Sequence, residues 1–321
     1  MTTSQDIPLA IKPIERAAHR RISPRDIAVA RGDPDVLVCL MRSGEPLIEG
    51  GQAGLATRPG DSVSGPQRPL VWLGPEAFRL VPEAPDVFLG EDRNGAPIFA
   101  RDLPPDFSLA GSILEGLGDF EDMRAAAQVL SPLEANCVST ARSLFEWHRR
   151  HGFCANCGSK TQIVEAGWKR ICPDCEAEHF PRTDPVAIML AVRGDQCLLG
   201  RSHGWPGGFL SCLAGYVEPG ETVEQAACRE LEEEAGVRAD PERAEYLFCQ
   251  PWPFPSSLMI GLILPAESEE IRTEQDELEA AYWISREEAR EMLAGEHPEF
   301  YCPPPMAIAH HILKAWAERE D

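Results

Sequence analysis

Three glutamates, Glu230, Glu233 and Glu234, stand at i, i+3 and i+4 within Thr222 to Ala235, a stretch rich in helix formers and free of Gly and Pro. Read as a helix that stops at Gly236, the stretch puts all three carboxylates on one face. Like charges at that spacing repel one another. Hard divalent ions such as Mg2+ or Mn2+ prefer carboxylate oxygen, so they would relieve the repulsion and grip a pyrophosphate at the same time. The plain alternative is a solvated acidic helix, common in a chain this acidic. Arg229 is one step away and is suited to pair with Glu221, holding the loop Gly215 to Gly220 against the helix. The Pro and Gly of that loop permit a sharp turn and a close backbone approach to phosphate.

A second set of ligand types lies upstream. Cys154 and Cys157, then Cys172 and Cys175 after 14 intervening residues, form two Cys-x2-Cys pairs able to converge on one tetrahedral Zn2+. Asn156, Gly158, Pro173 and Asp174 supply the tight turns that aim amides at sulfur. Four thiolates leave no open position, so such an ion is structural. A redox dithiol needs one pair, whereas here there are two.

The elements that must position these residues can be read from punctuation and periodicity. Short apolar runs at Val36 to Met41, Leu70 to Leu73, Val87 to Leu89 and Ile98 to Ala100 alternate with turn signals, which predicts a β-rich region. Glu121 to Gly152 suits one or two amphipathic helices broken near Pro132. After the cysteines, His179 to Pro185 reads as a hinge. Strands are expected at Val186 to Val192, Cys197 to Leu199, Leu210 to Ala214, Tyr246 to Cys249 and Leu258 to Leu264. A final amphipathic helix runs from about Pro304 to Glu320, with Ile308, Ile312, Leu313 and Trp316 on one face. The division expected is 1–150, 151–182 and 183–321.

Composition narrows the classes. With 321 residues, 43% hydrophobic and 26% charged, the chain has material for two medium domains and a small insert. A net charge of -22 disfavours generic nucleic-acid binding through phosphates, but suits a small anion held by bound cations. Met1 to Arg21 lacks the apolar run of a signal peptide, and no apolar stretch approaches ~20 residues. The expectation is a cytosolic protein without a membrane span, its eleven cysteines being free thiols or metal ligands.

Gly215 to Val237 matches, position for position, the Nudix pattern Gly-x5-Glu-x7-Arg-Glu-apolar-x-Glu-Glu-x-Gly-apolar. Beyond it comes Gln250, Pro251, Trp252, Pro253, Phe254, Pro255, Ser256 and Ser257. From the residues alone this run is either a stiff loop presenting rings to a base or nicotinamide, or a structural loop packing them inward. The run, following a four-cysteine ribbon, resembles the NADH pyrophosphatase branch of the Nudix hydrolases from about Phe153 to Trp316. Cys249 stands where that branch usually has Ser, and Phe180 where some members have Tyr.

The resemblance implies a mixed α/β (α+β) fold: a Nudix α/β/α sandwich preceded by a zinc ribbon and a β-rich, degenerate Nudix-like N-terminal domain. It implies hydrolysis of the pyrophosphate of NADH or NAD to nicotinamide mononucleotide and AMP, removal of NAD caps from RNA 5' ends, and a homodimer. Carried over by position, the Mg2+ or Mn2+ ligands are Glu230, Glu234, Glu277 and the Ala214 carbonyl, and Glu233 is the candidate base, its role not separable from metal binding. Phe180, Ala309, Arg124 and Gln250 to Ser257 are the substrate contacts. Two rivals stand beside this reading. One is a broader hydrolase of ADP-ribose or dinucleoside polyphosphates, which the aromatic-proline run argues against; the other is a noncatalytic nucleotide-sensing module, which would not require every carboxylate.

Overall fold

The computed structural model describes residues 7–10, 14–50, 68–273 and 278–319. In the N-terminal region, strands Leu37–Arg42, Glu45–Glu49, Asp86–Glu91, Pro97–Leu103 and Gly118–Phe120 form one five-stranded sheet. Period-two alternation divides its apolar residues between two cores. Cys39, Met41, Val87, Leu89, Ile98 and Ala100 face the helix Pro132–Arg150 and its Val138, Ala141, Leu144 and Phe145, whereas Val38, Leu40, Phe88 and Phe99 pack on the other side with Ile27 and Ala30. The helical segment is indeed two helices, Met123–Val129 and Pro132–Arg150, and the second starts at a reciprocal cap between Ser131 and Glu134.

Leu70 to Leu73 is not a strand. Leu70 and Leu73 make only single bridges, to Ile48 and Val38. The Leu70 amide and the Trp72 indole N–H donate to the Glu134 carboxylate at 2.9 and 3.3 Å, so a side chain takes one backbone donor of the run, while the Val71 and Leu73 amides reach the Leu47 and Val38 carbonyls at 3.1 and 3.0 Å.

A three-stranded sheet of Gln162–Val164, Lys169–Ile171 and Glu178–His179 follows, built around the two cysteine turns. It is fastened to the N-terminal region. The Trp168 indole donates to the Phe88 carbonyl at 2.7 Å with the Arg21 guanidinium 3.7 Å from the ring centre, and a Cβ at Gly167 would overlap Val87. Neutral His148 fits between a 2.9 Å bond to the Gly167 carbonyl and a 3.0 Å contact from Arg170, and burial lowers its pKa to about 4.

The C-terminal region is a six-stranded sheet in the order Glu245–Trp252, Ser257–Pro265, Asp184–Arg193, Gln196–Ser202, Leu278–Ser285, with Leu213–Tyr216 pairing the Asp184–Arg193 strand. Ser257–Pro265 runs parallel to Asp184–Arg193; the other pairings are antiparallel. Ala187, Met189 and Ala191 face the helix Val223–Ala235, while Ile188 and Leu190 face Ile308–Ala317 in a core that also includes residues of Arg286–Ala294. This is the expected helix–sheet–helix sandwich. The last helix is shorter than Pro304 to Glu320: it starts at Ile308, after a turn in which the Ala307 amide donates to the Pro304 carbonyl at 2.9 Å, and Pro303, Pro304 and Pro305 disfavour helix in the residues before them. No described helix is long and apolar enough to cross a membrane.

Candidate active site and metal centre

Thr222 caps the helix Val223–Ala235 by accepting from the Gln225 amide at 3.3 Å, while the Gln225 side chain accepts from the Thr222 amide at 2.9 Å. Gly236 ends it in the left-handed region at φ 68°. Ala226, Ala227, Leu231 and Ala235 are buried against the sheet, which turns the glutamate face outward. Deeply burying this apolar stripe is what fixes the helix, since propensity alone would not hold a segment with five glutamates.

Arg229 is the hub of the site. Its guanidinium donates to Glu221 at 2.7 and 3.0 Å, to Glu230 at 2.9 Å, to Glu233 at 2.8 Å and to the Tyr216 carbonyl at 2.9 Å. It thereby joins loop to helix as its position suggested. These bonds, with the Glu218 amide, hold the Glu221 carboxyl down to about 2, and they raise the Arg229 pKa. Gly215 is the seat for Glu230, since a Cβ there would overlap the Glu230 carboxyl carbon. Ala214 precedes it in the strand, paired with Ile188.

Hard divalent ions fit this donor set: one guanidinium stands among Glu221, Glu230 and Glu233, Glu234 follows on the same helix, and the Gly215 seat brings strand backbone against a carboxylate. The carboxylates are nevertheless arranged along the helix rather than converged. Among the described residues, only Cys154, Cys157, Cys172 and Cys175 bring three or more ligand atoms together, all within 4.8 Å of one another. The Asn156 amide donates to Cys154 sulfur at 3.4 Å, and the Ala177 amide and Asn156 side chain lower the Cys175 thiol to about 6. Glu277 lies outside the described residues.

The Pro-rich run is a β-hairpin rather than a free loop. Gln250, Pro251 and Trp252 belong to one strand, Ser257 opens the next, and Trp252 pairs with Ser257 around a Phe254–Pro255 cis bond. Gln250 is fully buried, its amide donating to the Pro8 and Met306 carbonyls at 2.7 and 2.9 Å and accepting from the Ile308 amide at 2.9 Å. It caps the helix Ile308–Ala317, whose own N-cap, Ala307, has no side chain to do so. Ala309 is buried in that helix.

The rings of Trp252 and Phe254 meet edge to face at 5.1 Å. Arg124 lies 4.2 Å from the Phe254 ring centre, so the structure brings these two carried-over residues together. It adds two that sequence reasoning missed. Arg142 lies 5.1 Å from the same ring, and the Ser143 hydroxyl donates to the Pro255 carbonyl at 3.0 Å. Both sit on the N-terminal helix with no motif spacing to mark them. Phe180, at the ribbon's exit, is 63% exposed, with the Lys169 ammonium 5.7 Å from its ring centre.

Three family models match successive stretches of the chain. Residues 181–302 match the NUDIX domain model, 149–180 the NADH pyrophosphatase zinc ribbon domain, and 36–147 the NADH pyrophosphatase-like rudimentary NUDIX domain. The chain is 46% identical over 198 residues to human NAD-capped RNA hydrolase NUDT12, covering 58% of this chain and 42% of that protein. It therefore spans less than half the length of that relative. It is 36% identical over 275 residues to human mitochondrial NAD(P)H pyrophosphatase NUDT13, covering 79% of this chain and 76% of that one. With the NAD-capped RNA hydrolase NudC of Mycobacterium bovis the identity is 34% over 253 residues, covering 74% and 77%.

Proposed function

Because this chain belongs to the Nudix hydrolase family, in its NADH pyrophosphatase branch, we propose that it hydrolyses the pyrophosphate of NADH and NAD to nicotinamide mononucleotide and AMP, and removes NAD caps from RNA. The observation that carries this reading is the intact outward face of Glu230, Glu233 and Glu234, with Glu230 seated against Gly215. The names of the relatives supply the substrate class.

In this reading Glu230, Glu234, Glu277 and the Ala214 carbonyl hold two or three Mg2+ or Mn2+ ions. When bound, such ions polarise the phosphoryl oxygens and stabilise charge on the leaving phosphate. Glu233, whose side chain is 53% exposed and bonded to Arg229, takes a proton from the attacking water in this reading. Arg229 holds Glu221, Glu230 and Glu233 in register. Phe180, Trp252 and Phe254 stack the flat rings of the substrate, Arg124 backing Phe254, while Ser256, Ser257, Pro251, Pro253 and Pro255 shape the hairpin and Ala309 lines the helix behind it. Gln250 contributes by positioning. Cys154, Cys157, Cys172 and Cys175 hold a structural Zn2+. The reading includes the division at 1–150, 151–182 and 183–321, a homodimer and a cytosolic location, which sedimentation and cell fractionation test.

The deciding experiment is chromatographic product analysis after incubation with NADH, NAD, ADP-ribose, dinucleoside polyphosphate and NAD-capped RNA, each with Mg2+ or Mn2+. Reduced nicotinamide mononucleotide plus AMP from NADH upholds the reading, and relative rates rank metabolite against cap. Preference for ADP-ribose or dinucleoside polyphosphate replaces it with the broader hydrolase. Nucleotide binding without any cleavage replaces it with a sensor.

A further inference from the structure

One end of the C-terminal sheet gathers the pieces of the site. Tyr216 pairs with Val186 there and Ser257 with Asp184. Gln196 lies opposite Arg193, so the strand Gln196–Ser202 runs back toward that same end, where Ser202 pairs with Leu278, the residue after Glu277. The loop His203 to Phe209 leaves from this point and returns through Leu210 to Ala214. By chain length, Leu210 is at most ~14 Å from Ala214.

This loop presents an aromatic surface that the dinucleotide site does not use. Trp205 is 37% exposed. Its ring meets Phe209 edge to face at 4.9 Å, and Phe209 leans on Tyr301 at 5.4 Å. The support is stiff. The Tyr301 amide donates to the Gly208 carbonyl at 2.9 Å, the Leu210 amide to the Tyr301 carbonyl at 3.0 Å, and Gly208 adopts φ 80° where a Cβ would overlap the Glu299 carbonyl. An indole fixed in this way can accept a flat ring with little ordering cost.

The chain's charge says what kind of contact this must be. At -22, the protein gains little from phosphates, so a polynucleotide entering the site must be held through its bases rather than its backbone. Stacking on an aromatic platform does this without sequence preference. We propose that Trp205, backed by Phe209 and Tyr301, is the platform on which the single-stranded nucleotides following a NAD cap stack. The proposal rests on the RNA arm of the function above.

Steady-state kinetics of the full chain, Trp205→Ala and Trp205→Phe test it, on NAD and on NAD-capped single-stranded RNA of about ten nucleotides. Trp205→Ala raises KM for capped RNA about tenfold with kcat unchanged, leaves KM for NAD within about twofold, and Trp205→Phe recovers most of the loss. The difference between wild type and Trp205→Ala persists at high salt, because stacking releases no counterions. Equal changes for both substrates, or none, overturn the platform. A wild-type protein that cleaves NAD but leaves capped RNA intact overturns the RNA arm itself, and this is read before any variant is compared.

Discussion

The four cysteines and the signature glutamates are both clusters of residue types that can ligate a metal, yet the protein holds them in opposite ways. The cysteine sulfurs are drawn within 4.8 Å of each other by two turns that close on backbone bonds, such as the Gly158 amide to the Cys154 carbonyl at 2.9 Å and the Glu176 amide to the Cys172 carbonyl at 3.0 Å. The glutamates instead line one face of a helix, with Arg229 bonded to Glu221, Glu230 and Glu233. A converged set saturates its ion and leaves nothing for a substrate. A set in line leaves coordination positions for water and phosphate, and an internal cation tempers its repulsion meanwhile. The difference predicts that damage to the first is read in folding and damage to the second in rate.

Glu233→Gln gives the largest effect. As the candidate base it should lower kcat about 10²- to 10⁴-fold while the melting temperature moves little. A loss below tenfold would break the rate half of the comparison. Gly215→Ala comes next, about 10²-fold in kcat/KM, because the added methyl displaces Glu230 while the helix and its caps stay intact by circular dichroism.

Cys157→Ser should act on the other side. Zinc measured by elemental analysis falls from one ion per chain toward none, and amides of 151–182 lose protection from hydrogen exchange, with stability lower by on the order of several kcal/mol. If zinc is lost and protection is unchanged, convergence of the cysteines does not depend on the ion. Gln250→Leu removes three buried bonds and leaves backbone groups of Pro8, Met306 and Ile308 unpaired, which should destabilise by about 3 kcal/mol in urea unfolding.

The smallest effect is on pH. Glu221 is depressed to about 2, so its contribution is present above the ordinary carboxylate range and is lost as pH falls through the folded value. The stability difference between wild type and Glu221→Gln should therefore shrink on acidification toward pH 2. A difference that stays constant would show that Arg229 does not hold Glu221 in solution.

What the sequence made legible divides along physical lines. Thr222 and Gly236 mark the ends of the catalytic helix because capping is local, and the cysteine turns were visible because ligand spacing is local. Leu70 to Leu73 looked like a strand because its residues suit one; the competing acceptor, Glu134, is 64 residues away. Gln250 looked like part of a ring-presenting loop for a similar reason, since its partners Pro8 and Met306 are 242 and 56 residues off. Likewise, nothing in the spacing of Arg124, Arg142 and Ser143 announced that they would meet Phe254 and Pro255.

The socket that receives Trp168 has a consequence for anyone wishing to cut this molecule apart. The Trp168 indole reaches the Phe88 carbonyl, and the glycine beside it leaves no room for a Cβ against Val87. A fragment beginning at His151 would keep all four ribbon cysteines and every signature glutamate, yet it would expose that indole and strip His148 from Arg170. The ribbon is thus a shared wall rather than a detachable module, and a minimal enzyme should be sought by trimming loops, not by deleting the N-terminal sheet.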